Sequence, residues 1–344
     1  MKILPLYLPH KGCARQCVYC NQPLVVGPGE TRDYWRDRLE SLHRRNGGDW
    51  EIAFYGGTFT ALPLEEMREC LQFVAPYVQI PAVAGVRIST RPDCLPPATL
   101  DFLQAYGVRT IELGVESLDD NVLRKSGRGH TAQDVRDACR RIRERGIRLG
   151  IHLMCGLPGQ SRESFTQTVR GSLSLQPDLV RIAPTLVLKN TPLENMMRRG
   201  LYIPQTLEEA VEQCMDAYTV FHKHGIAIAR VGLAISDANG DGAGKIAAGP
   251  WHPALRHEVE SRLALRTIRS LLANDLELTQ IIIHPKDLSI VYGERKKNLA
   301  AWRAEFHREV DILQNPHQPR HTLRTALGKT YSLFDAAAER NGES

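Results

Sequence analysis

Cys13-Ala14-Arg15-Gln16-Cys17-Val18-Tyr19-Cys20 sets three cysteines at C-x3-C-x2-C spacing, directly after the first apolar run of the chain. Three thiolates in one loop suit the irons of an iron–sulfur cluster or, alternatively, a zinc ion. A structural zinc site takes four protein ligands, and no fourth cysteine lies nearby, so zinc would require His10 or a distant residue. Three thiolates on a four-iron cluster instead leave one iron open to a molecule that reacts.

The rest of the chain reads as support for that loop. Its 344 residues, 42% hydrophobic and 24% charged, are enough for one large α/β domain and a smaller appendage. Pro5 and Pro9 break the N-terminal apolar run, and no stretch of about 18 apolar residues follows, so neither a signal peptide nor a membrane span is expected. A cytoplasmic location follows, and its reduced thiols make Cys70, Cys94, Cys139, Cys155 and Cys214 small buried hydrophobes. Strand-length apolar runs near 3–9, 51–55, 85–90, 110–115, 148–155 and 179–188 alternate with helical patterns near 32–45, 64–75, 97–106, 119–145 with an interruption, 161–175 and 206–224. The expected fold is α/β: a partial (βα)6 TIM-like barrel over 1–235, with a small α/β extension over 236–344. Chemistry would sit at the strand C-terminal ends, where the cysteine loop falls.

Several of those ends carry polar or glycine-rich residues. Gly56-Gly57-Thr58 closes the second strand, as a tight turn or as backbone able to approach a ligand closely. Ser89 and Arg91 end the third; they face a ligand, or Arg91 is a solvent arginine before Pro92. In the fourth, Glu112, Gly114 and Glu116 share one face, and an inward carboxylate must be paired or used. His130 offers an acid/base or a phosphate donor, or a structural histidine at a helix start. Gly156 opens an accessible turn after the fifth strand, and Lys189 and Thr191 stand at the mouth beyond the sixth.

Taken as a set over about residues 1–235, these motifs resemble the radical S-adenosylmethionine (SAM) superfamily, in which an aromatic such as Tyr19 precedes the last cysteine. Gly56-Gly57-Thr58-Phe59, Arg128-Gly129-His130-Thr131 and the segment 183–193 resemble its Elongator subunit 3 branch, in the bacterial form lacking an acetyltransferase domain. The resemblance implies a [4Fe-4S] cluster on Cys13, Cys17 and Cys20, with SAM chelated by the open iron. It implies SAM contacts from Gly56, Gly57, Thr58, Ser89, Arg91, Glu116 and Gly156, with Lys189 and His130 as catalytic candidates. An electron from a donor such as flavodoxin or ferredoxin would cleave SAM to methionine and a 5′-deoxyadenosyl radical, which abstracts hydrogen from the substrate. The branch implies RNA, a tRNA base, as that substrate. Radical chemistry on a small metabolite or peptide is the second enzymatic reading, and a non-enzymatic iron–sulfur sensor or binding protein the third. The roughly 110 residues beyond the resemblance are too few for an acetyltransferase domain, so acetyl-CoA chemistry is not expected.

Asp237, Asn239, Asp241 and Gly242 imitate a calcium loop, but Ala248 stands where its bidentate glutamate belongs. Gly244-Lys245 lacks the rest of a phosphate loop, so 236–250 reads as a glycine-rich loop. Pro253 suits the first turn of a helix that follows, Gln280–Pro285 reads as a strand, and Asn341–Ser344 as a frayed end. Charge concentrates at 124–148, with nine basic against three acidic side chains. Arg136, Arg140 and Arg143 form one helical row and Arg141, Arg145 and Arg148 another, suited to phosphates or to a solvated face.

Overall fold

The computed structural model describes residues 2–27, 29–45, 49–233 and 243–335. Asp237, Asn239, Asp241, Gly242 and the end 341–344 lie outside the described residues. Contacts divide the chain into one unit of Met1–Ala210 with Ile226–Pro253 and a second of Val211–Gly225 with Ala254–Ser344.

The first unit is built on parallel strands β1 (Lys2–Tyr7), β2 (Trp50–Tyr55), β3 (Val83–Thr90), β4 (Val108–Glu116), β5 (Arg148–Cys155) and β6 (Leu179–Pro184). Burial is nearly continuous along β2 and β4, as parallel strands covered on both faces require, while β1 alternates buried with partly buried residues. The apolar run read as one strand over 179–188 divides at Thr185, and Val187–Leu188 (β7) leaves the sheet. A seventh parallel strand, β8 (Ala227–Val231), extends the order to β1-β2-β3-β4-β5-β6-β8, one more than the six expected. It escapes pattern reading because it is an edge of five residues, mostly exposed, whose two alanines give no apolar alternation. The sheet is the curled, open half-barrel anticipated from the alternation of elements.

Helices fill the crossovers. The pattern at 119–145 splits into Asp120–Lys125 and Ala132–Glu144, the second started by a capping box in which Thr131 and Asp134 exchange hydrogen bonds. Ser161 caps Arg162–Ser172 likewise. Trp35, on Arg32–Glu40, meets Phe54 edge-on at 5.6 Å and anchors that helix to β2. β7 pairs antiparallel with Ile246–Ala248 (β9), and Leu186, Leu188 and Val25 form a small core with Ile246 and Trp251 packed against it.

In the second unit a 20-residue helix, Leu255–Asn274, packs against helices Leu288–Tyr292 and Lys297–Phe306, and the unit also holds a four-stranded sheet of order β11-β10-β12-β13. These strands are Gln280–Ile283 (β10), Asp311–Gln314 (β11), Thr322–Thr325 (β12) and Thr330–Ser332 (β13). Pro253 precedes the helix instead of occupying its first turn, because the helix starts after Ala254. No helix among the described residues is long and apolar enough to cross a membrane.

Candidate functional site

The loop after β1 and the turn after β2 are zipped together by backbone. His10 N–H donates to the Gly56 carbonyl at 2.8 Å, and Thr58 N–H to the Lys11 carbonyl at 2.9 Å. A Cβ on Gly57 would stand 2.2 Å from the Lys11 oxygen, and one on Gly12 2.2 Å from the Thr58 oxygen. Gly57 is therefore glycine because the cysteine loop lies against it, a reason that ligand approach alone did not supply. Thr58, buried, places its hydroxyl 3.4 Å from Cys13 Sγ.

The three cysteines are free thiols. Cys17 Sγ accepts from Arg128 Nη1 at 3.3 Å, and Gln22 Nε2 reaches Cys20 Sγ at 3.6 Å. Burial, then the neighbouring Cys17, pushes the Cys20 thiol up to about 12. Binding to a metal cluster replaces that proton and removes the penalty. His10 Nε2 accepts the Gln22 N–H at 3.0 Å, so its lone pair is engaged and it is not poised as a fourth zinc ligand. Among the described residues no group of three His, Cys, Asp or Glu side chains converges on a point able to hold one metal ion. Three sulfurs that each take a different iron need no such point, and the donor set fits a cluster.

These cysteines border a cavity of about 420 Å³, within the range of ligand pockets. Gly56, Gly57, Thr58, Ser89, Arg91 and Glu116 line it too. Glu116 ends β4 at φ +64, where the pairing with β5 shifts register between Gly114 and Glu116. A non-glycine residue in that conformation marks a strand end bent for a purpose. Arg91 is held by Asp93 through bonds of 3.0 and 2.7 Å.

Three expected residues are not brought there. Gly156 lines a separate pocket with Tyr202 and Gln205, and Gln205 covers it so closely that a Cβ would meet its Oε1 at 2.4 Å. Lys189 is exposed and does not line the cavity, its backbone accepting from Asn21 and donating to Lys245. His130 is buried beneath the site, 3.3 Å from the Val115 carbonyl, and burial and then Arg128 push its pKa down to about 4. The residue of that tetrapeptide that does reach the cavity is Arg128, which sequence reasoning passed over in favour of the more usual acid/base type.

Below lies a charged floor that only β4 announced. Glu112, fully buried, accepts from Tyr55 at 3.0 Å and from Arg87, forms an ion pair with Arg181 at 3.1 Å, and bonds His152 at 2.6 Å. Burial alone would raise its pKa, but the His152 hydrogen bond and the charges of His152, Arg181 and Arg87 outweigh it and hold the carboxyl well below the usual range. Arg87 also bonds Glu51 through Nε at 2.7 Å. His152, Arg181 and Arg230 are register partners across β5, β6 and β8, and all three line the cavity, as a basic row. By contrast, arginines of helix Ala132–Glu144 and its C-cap Arg145 already have protein partners: Arg140 pairs with Asp137, Arg136 with Gln133, Arg143 with the Gln176 carbonyl and Arg145 with Asp101.

Comparison with known proteins places the family. The sequence profile of the radical SAM superfamily matches residues 7–170, and that of the radical SAM C-terminal domain residues 177–265. An uncharacterized protein of Methanocaldococcus jannaschii is 31% identical over 208 residues, 59% of this chain and 62% of that protein. A tRNA uridine(34) acetyltransferase of Methanocaldococcus infernus is 32% identical over 210 residues, 55% of this chain but 39% of that enzyme. The chain therefore spans less than two thirds of either relative. The structure of the archaeal Elp3 of Methanocaldococcus infernus, truncated at its N-terminus, shares the fold at TM-score 0.61 and 23% identity, over 76% of this chain and 62% of that one. With both profiles matched in order, the chain belongs to the radical SAM superfamily, whose enzymes employ a [4Fe-4S] cluster and S-adenosylmethionine.

Proposed function

We propose that Cys13, Cys17 and Cys20 hold the cluster, that Gly56, Gly57, Thr58, Ser89, Arg91 and Glu116 form the SAM site, and that the substrate is an RNA, a base of tRNA. The observation that carries this reading is that all nine residues, drawn from four strand ends, line one cavity. The bound cofactors would supply a 5′-deoxyadenosyl radical on reduction by a flavodoxin- or ferredoxin-like donor. The chain's own part is orientation. The Gly56–Thr58 turn presents backbone, Arg91 and Glu116 present charge, and the buried floor keeps the cavity walls fixed. RNA is supported by the tRNA uridine(34) acetyltransferase relative and by Arg230, which lines the cavity beside Arg181 and can meet a phosphate.

The test is anaerobic reconstitution followed by assay of 5′-deoxyadenosine with SAM and reductant, with and without tRNA. We expect cleavage in the parent, increased by tRNA, and neither iron nor cleavage in Cys17→Ala, with full iron in Cys214→Ala. Parent protein that cleaves SAM but neither binds nor responds to tRNA would remove RNA as the substrate. Equal iron in Cys17→Ala would remove the cluster assignment.

A further inference from the structure

Arg128 is more firmly built into the site than SAM binding alone requires. Its side chain is 7% exposed. Nη1 lies 3.3 Å from Cys17 Sγ and 3.4 Å from the Tyr19 hydroxyl, and Nη2 donates to the Gly114 carbonyl and stands 3.7 Å from Glu116 Oε1. The backbone that carries it is tied to the same loop, because Val18 N–H donates to the Ser126 carbonyl at 3.1 Å. Arg128 N–H in turn donates to the Leu123 carbonyl at 3.0 Å. An arginine guanidinium stays protonated even when buried, and Glu116 stands beside this one as its carboxylate partner.

We infer that Arg128 sets the reduction potential of the cluster proposed above, as a positioning residue acting through the Cys17 sulfur. The inference rests on the cysteine assignment. One-electron reduction adds one negative charge to the cluster and its sulfurs, and the electron comes from a low-potential flavodoxin, ferredoxin or, in the test, dithionite. No bond forms or breaks at Arg128 and no proton moves there. A buried cation donating to a ligand sulfur lowers the energy of the more negative state, since hydrogen bonds to sulfur and net local charge are what tune such potentials. Glu116, on the far side of the guanidinium, offsets part of that field.

The experiment is a redox titration of the reconstituted full chain followed by electron paramagnetic resonance, with iron and sulfide counted on each variant. In Arg128→Gln we expect the ratio of reduced to oxidised cluster at fixed ambient potential to fall at least tenfold, about 59 mV for a one-electron couple. Arg128→Lys, which keeps the charge, should recover most of the shift, and Glu116→Gln should move the midpoint upward. Arg128→Gln with full iron and the parent's midpoint would overturn the inference, as would a lysine variant no higher than the glutamine one. If Arg128→Gln does not retain iron, Glu116→Gln decides: an upward shift supports the inference and an unchanged midpoint rejects it. A parent chain that takes up no cluster sinks the cysteine assignment itself, and is told apart by its iron content.

Discussion

The mouth and the floor of the cavity are stabilised in opposite ways. At the mouth, glycines let two backbones touch, with Gly12 and Gly57 interlocking, and the polar side chains are held in separate short contacts, Arg91 by Asp93, Thr58 by Cys13 and Glu116 by Arg128. On the floor, Glu51, Arg87, Glu112, His152 and Arg181 bond one another across five strands. The mouth rests on backbone contact and isolated pairs, whereas the floor is one connected network in which a buried charge without a partner costs several kcal/mol. Damage at the floor should therefore appear as lost stability, and damage at the mouth as lost cofactor.

The largest effect is expected for Arg87→Ala, which removes the arginine paired with buried Glu51 and takes one partner from Glu112. Removing one member of a buried pair costs about 3–5 kcal/mol, readable as a lower urea midpoint. A loss below about 1 kcal/mol would erase the contrast between the two regions.

Acid should expose the next effect. Burial pushes His130 down to about 4 from an ordinary 6.5, so the folded state binds fewer protons than the unfolded one between those values. Stability is complete above about 6.5 and falls as pH drops towards 4, by at most about 3 kcal/mol at 1.36 kcal/mol per unit. Unfolding free energies measured from pH 7 to pH 4 should slope less in His130→Gln than in the parent, and parallel slopes would refute the assignment of this loss to His130.

Gly57→Ala sharpens the comparison from the other side. Its methyl would meet the Lys11 carbonyl, so overpacking costs about 1–3 kcal/mol, and the cysteine loop shifts. Iron per chain after reconstitution should drop more than in Arg87→Ala assayed under folding conditions. The opposite ranking would place the cysteine loop's support in the floor.

The smallest effect belongs to Arg140→Gln on the outer helix. Its pairs with Asp137 and Glu144 are exposed, and such pairs contribute about 0–1 kcal/mol. The melting temperature should barely change, and the salt slope of tRNA binding should change less than in Arg230→Gln, which alters the cavity wall.

Local spacing was legible because it encodes local structure. C-x3-C-x2-C lies within one loop, and alternating apolar runs report the strands and helices that bury them. The six longer strands and the end-of-strand position of Cys13, Gly56, Ser89 and Glu116 followed from the sequence by itself. What required the tertiary structure was every pairing between distant segments. Arg128 meets Cys17 across 111 positions, and Glu112 collects partners from four other strands. Gly156, equally glycine and equally at a strand end, turns away from the cavity and is covered by Gln205. Periodicity tells which face of a strand a residue occupies, but which residues meet across the sheet depends on register, and a one-residue bulge at Gly114–Glu116 changes it.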